Sequence, residues 1–347
     1  MKKLITLILG VVFIFGLSTG LSAQSKVLID FDKLKADVDI NEGGDQSKEK
    51  NMQNKATLTD YSGAAGSNFS DDSKSRMKIS LSPQQWIVQL NSSANSINNR
   101  VNSKCIEWTS KSKPALVSEL DGGPKDEYTI LGVRIRFPEG PNNAWALIRP
   151  PFEVPAYADV EEGEGGDGQK AEKGSKFENG YGVIKNVGIL KSIEISVYGL
   201  NHKNRISVLL KDDNSVTNEI MFPRDLDFDG WQRITWNNPN YITDAGNRQL
   251  YIVPLYPTTI PYIKMVGYKV YRQGDHVGGD FVIYLRDVIV KYDKHLLDTD
   301  APIDHEEAWG ILQARTDEAK RREEANLGNY QILKYLETQK MNWVNDQ

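Results

Sequence analysis

The sequence predicts a mainly β protein: an antiparallel two-sheet jelly-roll-like β-sandwich with a C-terminal helical extension. Three observations carry this. Apolar and polar residues alternate with a period of two from about Val27 to Tyr292, clusters of Gly, Asn, Asp and Pro punctuate the alternation, and helix-forming residues dominate only after Pro302. Strands with one apolar face must bury it, and many short strands without intervening helices do so by packing two sheets together.

The elements follow in order. Lys2 and Lys3 precede an apolar run from Leu4 to Leu17, after which come the small or polar residues Ser18, Thr19, Gly20, Ser22 and Ala23. This is the pattern of a secretory signal peptide over residues 1–23. The run is shorter than the ~20 residues a membrane-spanning helix needs. Signal cleavage is expected between Ala23 and Gln24. No cysteine stands there to carry a lipid, so the exported chain is expected to have no membrane anchor.

Residues 24–300 are expected to form the sandwich, with flexible, Gly-rich and charged insertions near 41–54 and 161–175. Strands are predicted at Val27 to Phe31, Trp86 to Leu90, Val133 to Phe137, Ala144 to Ile148, Ser192 to Tyr198 and Ile206 to Leu210. Further strands are predicted at Ile220 to Phe222, Trp231 to Trp236, Tyr262 to Tyr271 and Phe281 to Tyr292. Ile193, Ile195, Val197, Ile206, Val208 and Leu210 are the expected core.

Residues 301–347 are expected to be helical. Asp304 and Glu307 have the spacing of an N-cap and its capping-box partner. Asp317 with Arg321 and Glu318 with Arg322 are acid-before-base pairs one turn apart, worth only ~0.3 kcal/mol each. Gly328 is expected to break the helix. Beyond it, Ile332, Leu333, Leu336 and Trp343 form an apolar stripe, whereas Thr316 to Glu324 holds only Ala319 as an apolar residue and should stay wet. The stripe must be covered, either by the chain's own sandwich or by a neighbouring subunit. Its four residues are therefore the candidate assembly contacts.

Composition removes several classes of function. Lys+Arg 42 against Asp+Glu 47 leaves no basic excess for nucleic acid. A single cysteine and four scattered histidines exclude a disulfide framework and the usual zinc modules. Asp225, Asp227, Asp229 and Gly230 spell the opening of a calcium EF loop, but Trp236 occupies the position of the bidentate Glu and both flanks read as strands, so an acidic turn is expected. Gly163 to Gly168 carries acidic residues that would repel phosphate and lacks the G-K-[ST] ending. Cys105 sits in an alternating segment as a structural thiol. Asn68-Phe69-Ser70 and Asn91-Ser92-Ser93 match the short N-glycan acceptor pattern. Trp86, Trp108, Trp145, Trp231 and Trp236 are expected mainly as core, with a sugar-stacking platform as the weaker reading. No catalytic, cofactor-binding or metal-binding residue is nominated, and the chain is expected not to be an enzyme and to need no cofactor.

Seven stretches, in order along the chain, carry a resemblance: VLIDFDKL (Val27 to Leu34), QWIVQLNSSA (Gln85 to Ala94), RPPFEVPAY (Arg149 to Tyr157), FENGYGVIKNVGILKSI (Phe177 to Ile193), WNNPNYITD (Trp236 to Asp244), HVGGDFVIYLRDV (His276 to Val288) and EEAWGILQA (Glu306 to Ala314). In these the chain resembles the spirochaetal flagellar filament outer-layer (sheath) proteins, the FlaA family. The resemblance implies a structural protein of the periplasmic flagellum that associates with core flagellins, and with other sheath subunits, and supports filament stiffness, shape and cell motility. The alternative from another class is an exported carbohydrate-binding module of jelly-roll type. An accessible aromatic row on one concave face would favour it.

Overall fold

The computed structural model describes residues 23–39, 52–113, 116–117, 120, 125–140, 143–160, 174–247, 255–296 and 303–345. The expected signal peptide up to Ser22 and most of both expected insertions lie outside the described residues. In chain order the strands are β1 (Gln24–Asp30), β2 (Val38–Asp39), β3 (Met52–Gln53), β4 (Thr59–Asp60), β5 (Lys78–Ile79), β6 (Ile87–Leu90), β7 (Lys104–Lys111) and β8 (Glu127–Phe137). They continue with β9 (Trp145–Arg149), β10 (Val183–Lys185), β11 (Val187–Leu200), β12 (Arg205–Asp212), β13 (Thr217–Met221), β14 (Asp229–Asn237), β15 (Tyr262–Tyr271) and β16 (Gly279–Lys294).

Two antiparallel sheets hold twelve of these strands. The first has the order β14-β11-β16-β8-β7 and the second β13-β12-β15-β9-β6. Each is organised on one long strand whose edge is shared end to end by two shorter ones: β8 and β1 along β16, and β9 and β10 along β15. The chain passes repeatedly from one sheet to the other, as β9 to β11, β13 to β14, β14 to β15 and β15 to β16 each change sheet. That alternation makes the sandwich jelly-roll-like.

The alternation read from the sequence is what fills the space between the sheets. Ile193, Ile195 and Val197 of β11 and Ile206, Val208 and Leu210 of β12 are all buried, and each such side chain contributes about 1.5–3 kcal/mol. Trp86, Phe31 and Tyr268 pack together at one end, with Phe31 and Trp86 ring centroids 5.1 Å apart. The Trp86 indole donates to the Leu81 carbonyl at 3.0 Å, so its buried N–H is satisfied.

Where β8 ends and β1 begins along β16, charge replaces apolar packing. Asp30 stands opposite Asp287 in the register, and Arg286 lies 3.3 Å from Asp287 with its guanidinium 4.0 Å over the Tyr128 ring. All four are buried. Burial pushes the Asp30 carboxyl up to about 6, opposed by Arg286 and reinforced by Asp287.

The C-terminal region differs from expectation in where it breaks. Asp304 is the N-cap, its carboxylate accepting from the Glu306 and Glu307 amides, but the helix it opens is short, His305–Trp309. Gly310 ends that helix in the left-handed conformation at φ 60°, which a glycine adopts without steric cost. The long helix Ile311–Asn345 then starts, and the Glu306 carboxylate caps it by accepting from the Leu312 and Gln313 amides. Gly328 does not break this helix. It lies inside it, buried, at a point of close backbone approach.

Candidate functional site

The long helix lies against the sandwich, and its docking uses polar as well as apolar groups. Lys264 explains why. This lysine interrupts the apolar run of β15 and its side chain is only 6% exposed, so its ammonium must be paired. It meets Glu153 at 2.8 Å and Glu323 of the helix at 3.3 Å. Glu323 also accepts from the Tyr157 amide at 3.1 Å, Lys320 pairs with Asp159, and Arg149 donates to the Tyr330 hydroxyl at 2.9 Å. The stretch expected to stay wet therefore forms ion pairs with the body. Of the two expected pairs along the helix, Arg322 reaches Glu318 at 2.9 Å, whereas Arg321 bonds the Asp317 carbonyl instead.

These bridges hold the helix over a groove of about 730 Å³, lined in part by Arg149, Lys211, Tyr262, Arg315, Arg322 and Tyr330. Burial opposes ionisation of Glu153, yet the hydrogen bonds from Lys211 and Lys264 hold its carboxyl below the usual range. Burial, with Glu323 nearby, raises the Tyr157 and Tyr262 hydroxyls. On the helix itself, burial and the neighbouring Arg149 lower the Lys334 ammonium.

Further along, the candidate assembly contacts separate. Ile332 packs on the core with Leu327 and Tyr335, and Tyr335 meets Phe69 edge-on at 6.1 Å. Gln331 is buried and donates to the Pro151 carbonyl at 3.1 Å. Leu333 and Leu336 point away, 64% and 38% exposed. Trp343 belongs to the helix by its backbone, but its side chain lies outside the described residues. The sequence missed Lys264, Glu323 and Gly328 as docking residues. A lysine inside an apolar strand was the one legible sign of a buried partner.

Gln24, expected to begin the mature chain, is the first residue of β1 and pairs with Tyr292, with Ala23 immediately before the strand. Cys105 is buried, and burial pushes its thiol up to about 12. Asp225 accepts from Arg205 at 2.9 Å in an acidic turn, and no metal-binding cluster of His, Cys, Asp or Glu occurs among the described residues. Among those residues, no helix is long and apolar enough to cross a membrane. The tryptophans correct the core expectation. Only Trp86 of the five is fully buried; Trp108 is 60% exposed, because its register partner Ile130 lies on the face of the first sheet turned away from the core.

A family model described as flagellar filament outer layer protein Flaa matches residues 50–301. The chain is 41% identical over 334 residues to the flagellar filament outer layer protein of Spirochaeta aurantia, covering 96% of this chain and 92% of that one. It is 38% identical over 327 residues to the protein of the same description from Treponema pallidum (strain Nichols), covering 92% and 89%. The protein so described from Borreliella burgdorferi is 30% identical over 279 residues, covering 80% and 74%. Among solved structures, a carbohydrate-binding module of the β-sandwich superfamily superposes on 59% of this chain and 56% of its own with 9% identity and a TM-score of 0.26. A xylan-binding domain covers 61% and 90%, with 9% identity and a TM-score of 0.22. Scores this low do not specify a shared fold.

Proposed function

The chain belongs to the flagellar filament outer layer protein family, and on that premise we propose that it is an exported, non-catalytic subunit of the periplasmic flagellum that lies against the core flagellins. There it contributes to filament stiffness, shape and cell motility. The observation that carries this reading is identity of 41% extending over 96% of the chain with a protein of the filament outer layer.

The beginning of the fold supports export through a cleaved signal. β1 starts at Gln24, the first residue after the expected cleavage, and is already paired there with Tyr292 of β16. The sheet as described begins at the first residue that cleavage after Ala23 would leave. The proposal treats residues 24–300 as the sheath-forming body and 301–347 as a helical extension that presents Leu333 and Leu336 to a flagellin or to another sheath subunit.

Cryo-electron tomography of filaments in intact cells, with and without this protein, tests the reading. An outer density that disappears with the protein, together with thinner and straighter filaments inside the periplasm, is the expected result. Filaments of unchanged diameter and curvature would refute it. Mass spectrometry of the envelope fraction should find a mature N-terminus at Gln24, and an intact Met1 there would exclude export by this route.

A further inference from the structure

The face of the first sheet turned away from the core carries an aromatic row. Trp231 of β14 stands opposite Tyr198 of β11, which stands opposite Tyr284 of β16. Their sequence neighbours Val197 and Leu285 point into the core, so all three rings lie on the outer face. Tyr198 makes edge-to-face contacts with both partners, at 5.5 and 5.8 Å and interplanar angles of 76° and 82°. Next in register comes Gly132, opposite Ile106 of β7. A Cβ there would meet Ile106 Cγ1 at 2.8 Å and Tyr284 Cε1 at 3.2 Å, so the missing side chain is what lets Ile106 and Tyr284 close over this position.

The face is concave. Trp231 Nε1 donates to Ser110 Oγ of β7 at 3.2 Å, although β14 and β7 are opposite edges of the sheet, about 19 Å apart along a flat one. Strand twist lifts these diagonal corners over the face between them. Beneath lie Ser196 and Tyr128, buried to 1% and 0% exposure. The Ser196 Oγ, Tyr128 Oη, Arg233 Nη2 and Asp287 Oδ1 atoms are buried there without a hydrogen-bond partner in the protein, a costly condition unless something else bonds them. The cations in the hollow and at its rim already meet carboxylates: Lys291 lies 2.6 Å from Glu194 and Arg136 3.3 Å from Asp280. Arg233 lies 3.8 Å from Glu194 and 3.6 Å from Asp287, and Arg134 forks onto Asp280 at 3.0 Å through two nitrogens.

We propose that this concave face binds a neutral saccharide chain. Sugar rings present C–H faces that stack on aromatic π-faces, and hydroxyls that both donate and accept. The hollow offers an aromatic row, buried donors and acceptors without a hydrogen-bond partner, and charged side chains that already meet one another rather than an ion. The indole that closes on Ser110 swings off to admit the ligand, and a sugar oxygen takes over from Ser110 as its acceptor. Nothing in this inference depends on the place of the chain in a filament.

The test titrates the chain from Gln24 to Gln347 with cellohexaose, xylohexaose and chitohexaose, followed by calorimetry and tryptophan fluorescence, with hexagalacturonic acid as the charged comparison. At least one neutral hexamer should bind with a Kd on the order of 10⁻⁵–10⁻³ M, and hexagalacturonic acid should not. Trp231→Leu and, as an independent variant on the central strand, Tyr284→Leu should each weaken binding by about tenfold or more. Trp309→Leu, which removes an exposed indole on the short C-terminal helix, should leave it unchanged. Absence of binding to all three neutral hexamers up to millimolar concentration would overturn the proposal, leaving ordered water as the partner of the buried atoms. Equal binding by the folded Trp231 and Tyr284 variants would overturn it as well, by placing the sugar elsewhere.

Discussion

Gly328 of the long helix rests on Ala64: a Cβ on the glycine would lie 2.5 Å from the Ala64 Cβ. Gly328→Val should therefore push the helix off the body and destabilise the protein by about 1–3 kcal/mol. Gly328→Ala combined with Ala64→Gly should recover the contact and add the better helix propensity of alanine, ~1 kcal/mol. Thermal melting of the two single variants and the pair checks this. Additive losses in the pair would show that the two residues do not constrain each other.

The Asp30 carboxyl titrates near 6 in the folded chain, against 3.8 for an unperturbed one. Its folded pKa is raised, so the folded state holds the proton more tightly. Asp30 therefore costs nothing below about pH 4, and its penalty grows from pH 4 to 6 and stays constant above that. Asp30→Asn, which keeps the oxygen that accepts from the Asp32 amide, should raise neutral-pH stability by about 1–3 kcal/mol. The gap between variant and parent should close as pH falls from 6 to 4. A gap that stays constant across this range would remove Asp30 as its source.

The Cys105 thiol, buried and pushed up to about 12, should be almost wholly protonated at pH 8 and unreactive in the folded protein. Ellman's reagent should label it only after denaturant is added. Stoichiometric labelling within minutes under native conditions would contradict the burial.

Glu323→Ala leaves Lys264 with Glu153 alone and the Tyr157 amide without its acceptor. A loss of about 1–3 kcal/mol is expected, and trypsin should cut within the long helix sooner than in the parent. Unaltered digestion would mean that the helix is held by its apolar end.

That apolar end makes opposite predictions for adjacent residues. Ile332→Glu should lower the melting temperature, since Ile332 packs on the core, whereas Leu333→Glu with Leu336→Glu should melt like the parent because both point outward. The double variant is expected to be lost from purified filaments. Its normal incorporation would remove these leucines as assembly contacts.

The body was legible because its strands obey period two: Ile193, Ile195 and Val197 announce a buried face by their spacing alone. Arg286 and Asp287 could not be read this way. Charged residues side by side look like a solvated turn until β1 and β8 are both aligned on β16 and enclose them. Gly310 and Gly328 were equally ambiguous. Glycine serves both a left-handed helix end and a close contact, and only the presence of Ala64 opposite Gly328 separates the two. The aromatic row escaped notice for a related reason. Trp231, Tyr198 and Tyr284 are widely spaced in sequence, and their meeting depends on strand order, which periodicity does not encode.

The first strand and the last sandwich strand share an edge, with Gln24 and Tyr292 in contact across 268 positions of sequence. β16 is also the strand on which β8 and β11 are aligned. A chain delivered N-terminus first through a narrow pore thus lacks the template for its first sheet until almost everything else has arrived. Contacts between such distant residues form slowly, on the order of milliseconds to seconds, because a long loop must close before they reward it. On the export route we propose, the strand order acts as a timer: it keeps the polypeptide threadable during passage and allows it to set only on the side where its last strand emerges.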